Sequence, residues 1–139
     1  MKATVKSDYA CRAVEVLALH YPNPEPVCIE DIARQRRIPP NYLVQILLEL
    51  KRNGLIQSRR GKEGGYLLAR TPQKITFGDV LRAVQGEVID LPSLRESACP
   101  PGIKQAWRRI KTAAETAATE ITFDEICAAT RHSTMSYEI

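Results

Sequence analysis

The chain has 139 residues, which suits one domain with a short appendage. With 44% hydrophobic and 26% charged residues it has the composition of an ordinary globular protein, its net charge is only +4, and no apolar run is long enough to predict a membrane span. The first residues lack the apolar stretch of a signal peptide, so we expect a cytosolic protein. Its four cysteines are far apart in apolar surroundings and are expected to be reduced thiols.

The distribution of charge says more than its total. Between residues 34 and 74 there are ten Lys or Arg and two acids, Glu49 and Glu63, a net charge of +8. The rest of the chain carries −4. A basic middle between acidic flanks is typical of a surface that binds a polyanion such as nucleic acid, and a solvated basic face is the alternative.

The N-terminal part predicts two helices. Ser7 and Asp8 precede apolar residues with helical spacing, so Ser7 is expected to cap a first helix that ends before Pro22. Residues 26–27 are expected to be a short extended piece. A second, short helix is predicted at about 28–37, with acidic side chains in its first turn that suit the helix dipole.

A third helix and a hairpin are predicted next. The helix is expected to begin at Pro40, because proline is tolerated at the first helical position, and to end at Gly54. Strands are predicted at 55–58 and 66–69, separated by a polar, glycine-containing turn at 59–65. The inner, apolar face of the helix consists of Leu43, Ile46, Leu47 and Leu50.

The C-terminal half predicts three more helices. Thr76 and Asp79 have the spacing of a capping box and predict a helix that ends at Gly86. After a proline-rich loop, a long helix carries apolar residues in steps of four and three, the seam of a helix that packs against another helix. A second capping box, at 122–125, starts a short last helix. The seam residues, which we assign to dimerisation, are Ile103, Trp107, Ile110, Ala114, Ala117 and Ile121.

This order of elements is that of a winged helix-turn-helix, a mainly α fold with a small β-hairpin, followed by a long dimerisation helix. The third helix would enter the DNA major groove, where Asn and Gln can pair with adenine and Tyr can bond to phosphate. The basic hairpin tip would reach phosphates or the minor groove, and its glycines allow a tight turn. The assigned DNA-binding residues are Asn41, Tyr42, Gln45, Lys51, Arg59, Arg60, Gly61, Lys62, Gly64, Gly65 and Tyr66.

Each of these features alone also fits a solvated helix face or an ordinary hairpin, and it is their order and spacing that indicate DNA binding. We divide the chain into a winged helix-turn-helix at 1–88, a loop at 89–102, the dimerisation helix and a short terminal helix at 103–130, and a flexible tail at 131–139.

Three segments resemble a known bacterial family. Residues 38–47 (IPPNYLVQIL), 54–56 (GLI) and 60–70 (RGKEGGYLLAR) are similar to winged-helix regulators typified by the iron–sulfur cluster regulator, the nitrite-sensitive repressor and the cysteine-metabolism repressor. The resemblance runs from about residue 6 to residue 129. It implies a homodimer that binds a roughly palindromic operator as a transcriptional regulator, a repressor in our interpretation.

The chain departs from this family at two places. Family members often carry a base-reading acid where this chain has Val44, so no operator preference is carried over. Cluster-binding members have three cysteines in the loop before the long helix, whereas this chain has only Cys99 there. One thiolate cannot hold a cluster that needs about four ligands, so we expect no cofactor and no metal. Asp8 matches a cluster ligand of some relatives and is better explained as a first-turn helix acid.

Other functions remain open. Cys99 precedes two prolines, and Arg95 and Lys104 could lower its thiol pKa, so a thiol or redox sensor is one alternative. A protein-binding regulatory subunit of a metabolic enzyme is another, and a small-molecule effector is compatible with either. Catalysis is not indicated, because His20 and His132 have no evident nucleophile or acid partner in the sequence.

Overall fold

The computed structural model describes residues 5–137, which form six helices and one two-stranded sheet in the predicted winged helix-turn-helix order. The helices are α1 (Val5–His20), α2 (Ile29–Arg36), α3 (Pro40–Arg52), α4 (Phe77–Gln85), α5 (Pro101–Glu120) and α6 (Phe123–Tyr137). The strands β1 (Ile56–Arg59) and β2 (Gly65–Leu68) pair antiparallel, and short 3-10 turns lie at Pro72–Lys74 and Pro92–Arg95. Within this part of the chain no helix combines the length and the apolar character that a membrane crossing requires.

A single core joins these helices, and α1 is central to it. α1 contacts α2, α3, α4 and α6. The inner face of α3 is the one predicted, since Leu43, Ile46, Leu47 and Leu50 are all completely buried. Phe123 and Cys127 of α6 belong to the same core. The last helix therefore packs on the winged-helix part of the chain, although our division of the sequence placed it in one segment with α5, at 103–130.

Local chemistry sets the ends of α3 and α4. The Thr76 hydroxyl accepts from the Asp79 N–H and the Asp79 carboxylate accepts from the Thr76 N–H, each at 3.0 Å, so the predicted capping box is present. Gly54 and Gly86 have φ angles of 73° and 86°, which glycine adopts without strain. The predicted ends of both helices are confirmed.

The sequence predicted that Ser7 caps α1. It does not, because the helix already includes Val5. Ser7 lies inside the helix, only 1% exposed, and its hydroxyl donates to the side-chain carbonyl of Gln85 at 2.6 Å. The Gln85 amide donates in turn to the carbonyl oxygens of Glu87 and Val88. This serine therefore joins α1 to the end of α4.

Helix α6 is longer than the sequence predicted. It continues to Tyr137, whereas we expected the helix to end at residue 130 and a flexible tail to follow. No proline or glycine occurs after Gly102 to end it. Thr134 adds a bond from its hydroxyl to the Thr130 carbonyl at 3.1 Å. Residues 138–139, the end of the expected tail, lie outside the described residues.

A rigid joint connects the start of α4 to the turn between α5 and α6. The Phe77 N–H donates to the Ile121 carbonyl at 2.8 Å, and the Phe123 N–H donates to the Ile75 carbonyl at 2.9 Å. The rings of Phe77 and Phe123 stack with centroids 6.2 Å apart. Backbone bonds and an aromatic pair, of which Phe123 is buried and Phe77 half-buried, therefore fix the end of α5 to the winged-helix core.

The predicted seam of α5 is divided between two faces. Trp107, Ala114 and Ile121 are half-buried on the side of the helix that carries Ala118, which lies against Gly78 of α4. The other three seam residues, Ile103, Ile110 and Ala117, are exposed. The heptad pattern could not separate these faces, because packing within a chain and packing between chains produce the same spacing.

The hairpin is attached to the segment before α2. Val27 and Tyr66 exchange backbone hydrogen bonds of 3.0 and 2.8 Å, which confirms the extended piece predicted at 26–27. Gly65 lies so close to this segment that a Cβ atom there would be 2.3 Å from the Val27 carbonyl oxygen. Only glycine fits at this position without a shift of the backbone.

We predict that Gly65→Ala destabilises the protein. The added methyl group overlaps backbone atoms, and overpacking of this kind costs about 1–3 kcal/mol. Urea unfolding of the variant and the wild type measures the difference. Gly102→Ala is the matched control, because a Cβ atom there meets nothing within 4 Å. Equal loss of stability in both variants would contradict the close approach at Gly65.

Candidate nucleic-acid interface

The outer face of α3 carries an exposed stripe of amide and apolar side chains. Asn41, Val44, Gln45 and Leu48 follow one another at spacings of three, one and three, and all are exposed. Val44 is 57% exposed, an unusual position for a large apolar side chain in a helix whose other face is fully buried. Amide and apolar groups together match what the major groove offers, because amides pair with base edges and apolar side chains contact the thymine methyl group.

An aromatic pair joins α1 to the N-terminal turn of α3, and a cation of α1 lies against it. Tyr42 is 51% exposed, and its ring stands edge-on to that of Tyr9 with centroids 6.0 Å apart. The Arg12 guanidinium lies 5.7 Å from the centroid of the Tyr9 ring and pairs with the Asp8 carboxylate at 2.7 Å. Asp8 is thus held by an ion pair one turn along its own helix, in agreement with a structural role for this acid.

Gln45 is held by a neighbour on its own helix. Its side-chain nitrogen donates to Glu49 Oε1 at 3.3 Å, and Lys6 of α1 donates to the same oxygen at 2.6 Å. The Glu49 side chain is only 20% exposed. Of the residues assigned to base reading, Gln45 is therefore the one whose side chain is already restrained in the free protein, through its hydrogen bond to Glu49.

The hairpin presents cations that pair with nothing in the described part of the chain. Arg59, at the end of β1, and Arg60 and Lys62, in the turn, are exposed and form no ion pair or side-chain hydrogen bond with residues 5–137. Some cations elsewhere are paired, such as Arg36 with Glu15 at 2.9 Å. Unpaired cations on a turn are free to contact phosphates.

The remaining assigned residues have different surroundings. Lys51 is exposed near the end of α3, and Gly61 has a φ of 116°, which an L-residue rarely adopts. Gly64 also has no room for a side chain, since a Cβ atom would be 2.4 Å from the Arg59 carbonyl oxygen. Tyr66 is half-buried against the core and bonded to Val27 through its backbone. Its backbone anchors the hairpin to the segment before α2.

Sequence reasoning missed Val44 and Leu48 as members of the outer face, and it missed Lys6 and Arg12. The first two were accessible in principle, because they share the three- and four-residue spacing of Asn41 and Gln45. The two cations were not, since Lys6 reaches α3 from α1, Arg12 lies on the Tyr9 ring that contacts Tyr42, and only the folded chain brings these groups together.

Two of the four cysteines, Cys11 and Cys127, are buried. Burial, with a smaller contribution from Asp8, raises the pKa of the Cys11 thiol to about 12, and burial also raises the pKa of Cys127. Burial of a thiol disfavours the thiolate, which is the form that binds metals. Within residues 5–137 no group of three His, Cys, Asp or Glu is placed to hold a metal ion.

Cys99 is half-buried before α5, and its Sγ lies 3.8 Å from the Pro100 carbonyl oxygen. The sequence suggested that Arg95 could activate it. The Arg95 guanidinium instead binds the Asp90 carboxylate at 3.0 Å. The ion pair that Arg95 forms gives no support to a sensor role for this thiol.

Comparison with known proteins finds the same architecture. The Rrf2 family model, described as an iron-dependent transcriptional regulator, matches residues 3–129. The transcriptional regulator IscR of Pectobacterium carotovorum is 33% identical over 130 residues, covering 91% of this chain and 79% of IscR. The structure of T. potens IscR superposes with a TM-score of 0.81 at 28% identity, covering 96% of this chain and 90% of that one. CymR of B. subtilis, described as the global cysteine regulator, also reaches 0.81, at 26% identity, covering 93% and 98% of the two chains.

Proposed function

The chain belongs to the Rrf2 family of transcriptional regulators, and from this membership we propose that it recognises a specific, roughly palindromic operator as a homodimer and represses transcription there. The observation that carries the proposal is that α3 has an exposed stripe of amide and apolar side chains while the hairpin has exposed cations without ion-pair partners in the described residues. This combination suits duplex DNA, which has base edges in a groove and phosphates beside it.

The two parts of this surface have different tasks. Asn41 and Gln45 lie on a helix held by four fully buried side chains, so they suit contacts that depend on position. Arg59, Arg60 and Lys62 supply charge on a hairpin whose tip is exposed, which suits phosphate contacts that tolerate any sequence. Arg60 is also suited to a narrow minor groove, where an arginine reads shape.

The dimer interface that we propose is the exposed stripe of α5. Ile110 is 47% exposed, although isoleucine is normally buried. Ala106 and Ala113, at spacings of four and three from Ile110, are exposed as well, and such small side chains permit close approach of a second helix. The stripe consists of Ile103, Ala106, Ile110, Ala113 and Ala117. A two-fold axis through it would place two copies of α3 on the two halves of a palindrome.

We propose further that this regulator acts in the cytosol without an iron–sulfur cluster or other metal, although the family model is described as iron-dependent. Cys99 is the one cysteine in the loop before α5, and Cys11 and Cys127 are buried in helices. The signal that controls DNA binding would then be something other than the state of a bound cluster or metal.

Our first prediction here separates affinity from sequence choice. Lys62→Ala should weaken binding to operator and random duplexes nearly equally and lower the salt dependence by about one unit, because it removes one phosphate contact. Gln45→Ala should cost about 1–3 kcal/mol on the operator and little on random DNA. Titrations on both duplexes at several salt concentrations measure this.

Lys74→Ala is the control for charge, since Lys74 is exposed on a 3-10 turn that packs against α6. It should change neither titration. If Gln45→Ala weakened both duplexes alike, α3 would not be the reading helix.

The second prediction tests the dimer. Ile110→Glu combined with Ala117→Glu places two charges in the apolar stripe and should give a monomer in light scattering. Thr116→Glu, exposed on the polar side of the same helix, should remain a dimer. Ala114 is left unchanged because it is half-buried within its own chain. A dimer of the double variant would rule out this interface.

The third prediction tests the proposal that the protein binds no iron–sulfur cluster. Anaerobic incubation of the purified protein with ferrous iron and sulfide should leave it colourless and without stoichiometric iron, because too few thiolates are available. Visible absorption and iron analysis provide the measurement. Stable colour with bound sulfide would show that other residues, or those of a second copy, complete a cluster site.

A further inference from the structure

We infer that Glu49 is a positioning residue that fixes which way round Gln45 presents its side-chain amide to DNA. The inference rests on the proposed function, in which Gln45 reads a base. It goes beyond that function because Glu49 touches no DNA in this account and still determines the base that Gln45 prefers.

The first step is the direction of the contact between the two side chains. Glu49 lies one helical turn after Gln45, and the Gln45 nitrogen is 3.3 Å from Glu49 Oε1. A carboxylate only accepts hydrogen bonds, so the amide nitrogen must face it. If the amide turned over, two acceptor oxygens would meet and the bond would be lost. Glu49 therefore selects one of the two orientations that an isolated glutamine adopts equally well.

The second step is what holds Glu49 itself. Lys6 donates to the same Oε1 at 2.6 Å, and the two side chains are 33% and 20% exposed. The other carboxylate oxygen, Oε2, is buried and has no hydrogen-bond partner in the described part of the chain. Oε1 is thus the oxygen that carries both contacts. The ion pair to α1 keeps it in place.

The third step is the consequence for base reading. An amide nitrogen has two hydrogens, and only the one beside the carbonyl oxygen can take part in a two-bond contact with adenine. In the arrangement that we infer, the hydrogen on the side away from the carbonyl oxygen is the one that donates to the Glu49 carboxylate. The adjacent N–H and C=O remain for N7 and the N6 amino group of adenine. A glutamine braced in this way loses less orientational freedom on binding.

The experiment measures base preference rather than affinity. DNA selected from a random pool defines the operator, and Gln45→Ala identifies the base pair whose preference depends on Gln45. At that position, Glu49→Gln should reduce the preference for adenine roughly fivefold or more, because an uncharged amide can donate as well as accept and lets Gln45 turn over. Binding to random DNA and the salt dependence should not change.

Two further variants separate positioning from general damage. Glu49→Asp keeps the charge but withdraws the carboxylate from Gln45, so it should lower the same preference. Glu120→Gln, at the exposed end of α5, is the matched control and should have no effect. In a Gln45→Ala background, Glu49→Gln should cause no additional loss at that position, since Glu49 acts through Gln45.

Full preference in Glu49→Gln, or an equal loss in the Gln45→Ala background, would overturn the inference while the proposed function stands. If the wild-type protein selected no sequence at all, the proposed function would be wrong, and the role of Glu49 would fall with it.

Discussion

The packing of the inner face of α3 is the constraint on which the rest of this surface depends. Leu43, Ile46, Leu47 and Leu50 have no exposure, so the helix cannot turn about its axis without opening the core. Truncation of one such side chain typically costs about 2–5 kcal/mol. Because successive residues on a helix are separated by about 100°, a one-residue slip that moved Ile46 into the place of Gln45 would expose a side chain that is now fully buried. Core packing therefore aims the reading face.

The hairpin obeys a different rule. It is fastened at its base, where Val27 and Tyr66 exchange backbone hydrogen bonds and Gly65 permits the close contact, and its cations lie beyond that point without partners in the described chain. A fixed base and unpaired charges suit contacts with phosphates, whose positions vary little with sequence. In the proposed function, one surface thus combines a part that distinguishes DNA sequences and a part that attracts DNA of any sequence.

Sequence reasoning recovered the features that depend on local pattern. The inner face of α3, the capping box at Thr76, and the helix ends at Gly54 and Gly86 follow from periodicity and from single-residue chemistry. It failed where a distant segment decides. Ser7 has the chemistry of a cap, yet its partner, Gln85, is 78 residues away. The contact of Lys6 with Glu49 likewise spans 43 residues. The division of the α5 seam was equally inaccessible, because spacing does not tell which chain a face packs against.

The joint between the start of α4 and the α5–α6 turn has a geometric consequence for the DNA. Paired backbone bonds and the stacked Phe77 and Phe123 rings leave little freedom between the end of α5 and the core that carries α3. In the proposed dimer, the separation and relative rotation of the two reading helices are then properties of the protein. B-DNA turns by about 34–36° with each base pair, so one inserted base pair moves a half-site around the duplex as well as along it. Such a protein measures the helical phase of its operator, and spacer length becomes part of the sequence it recognises.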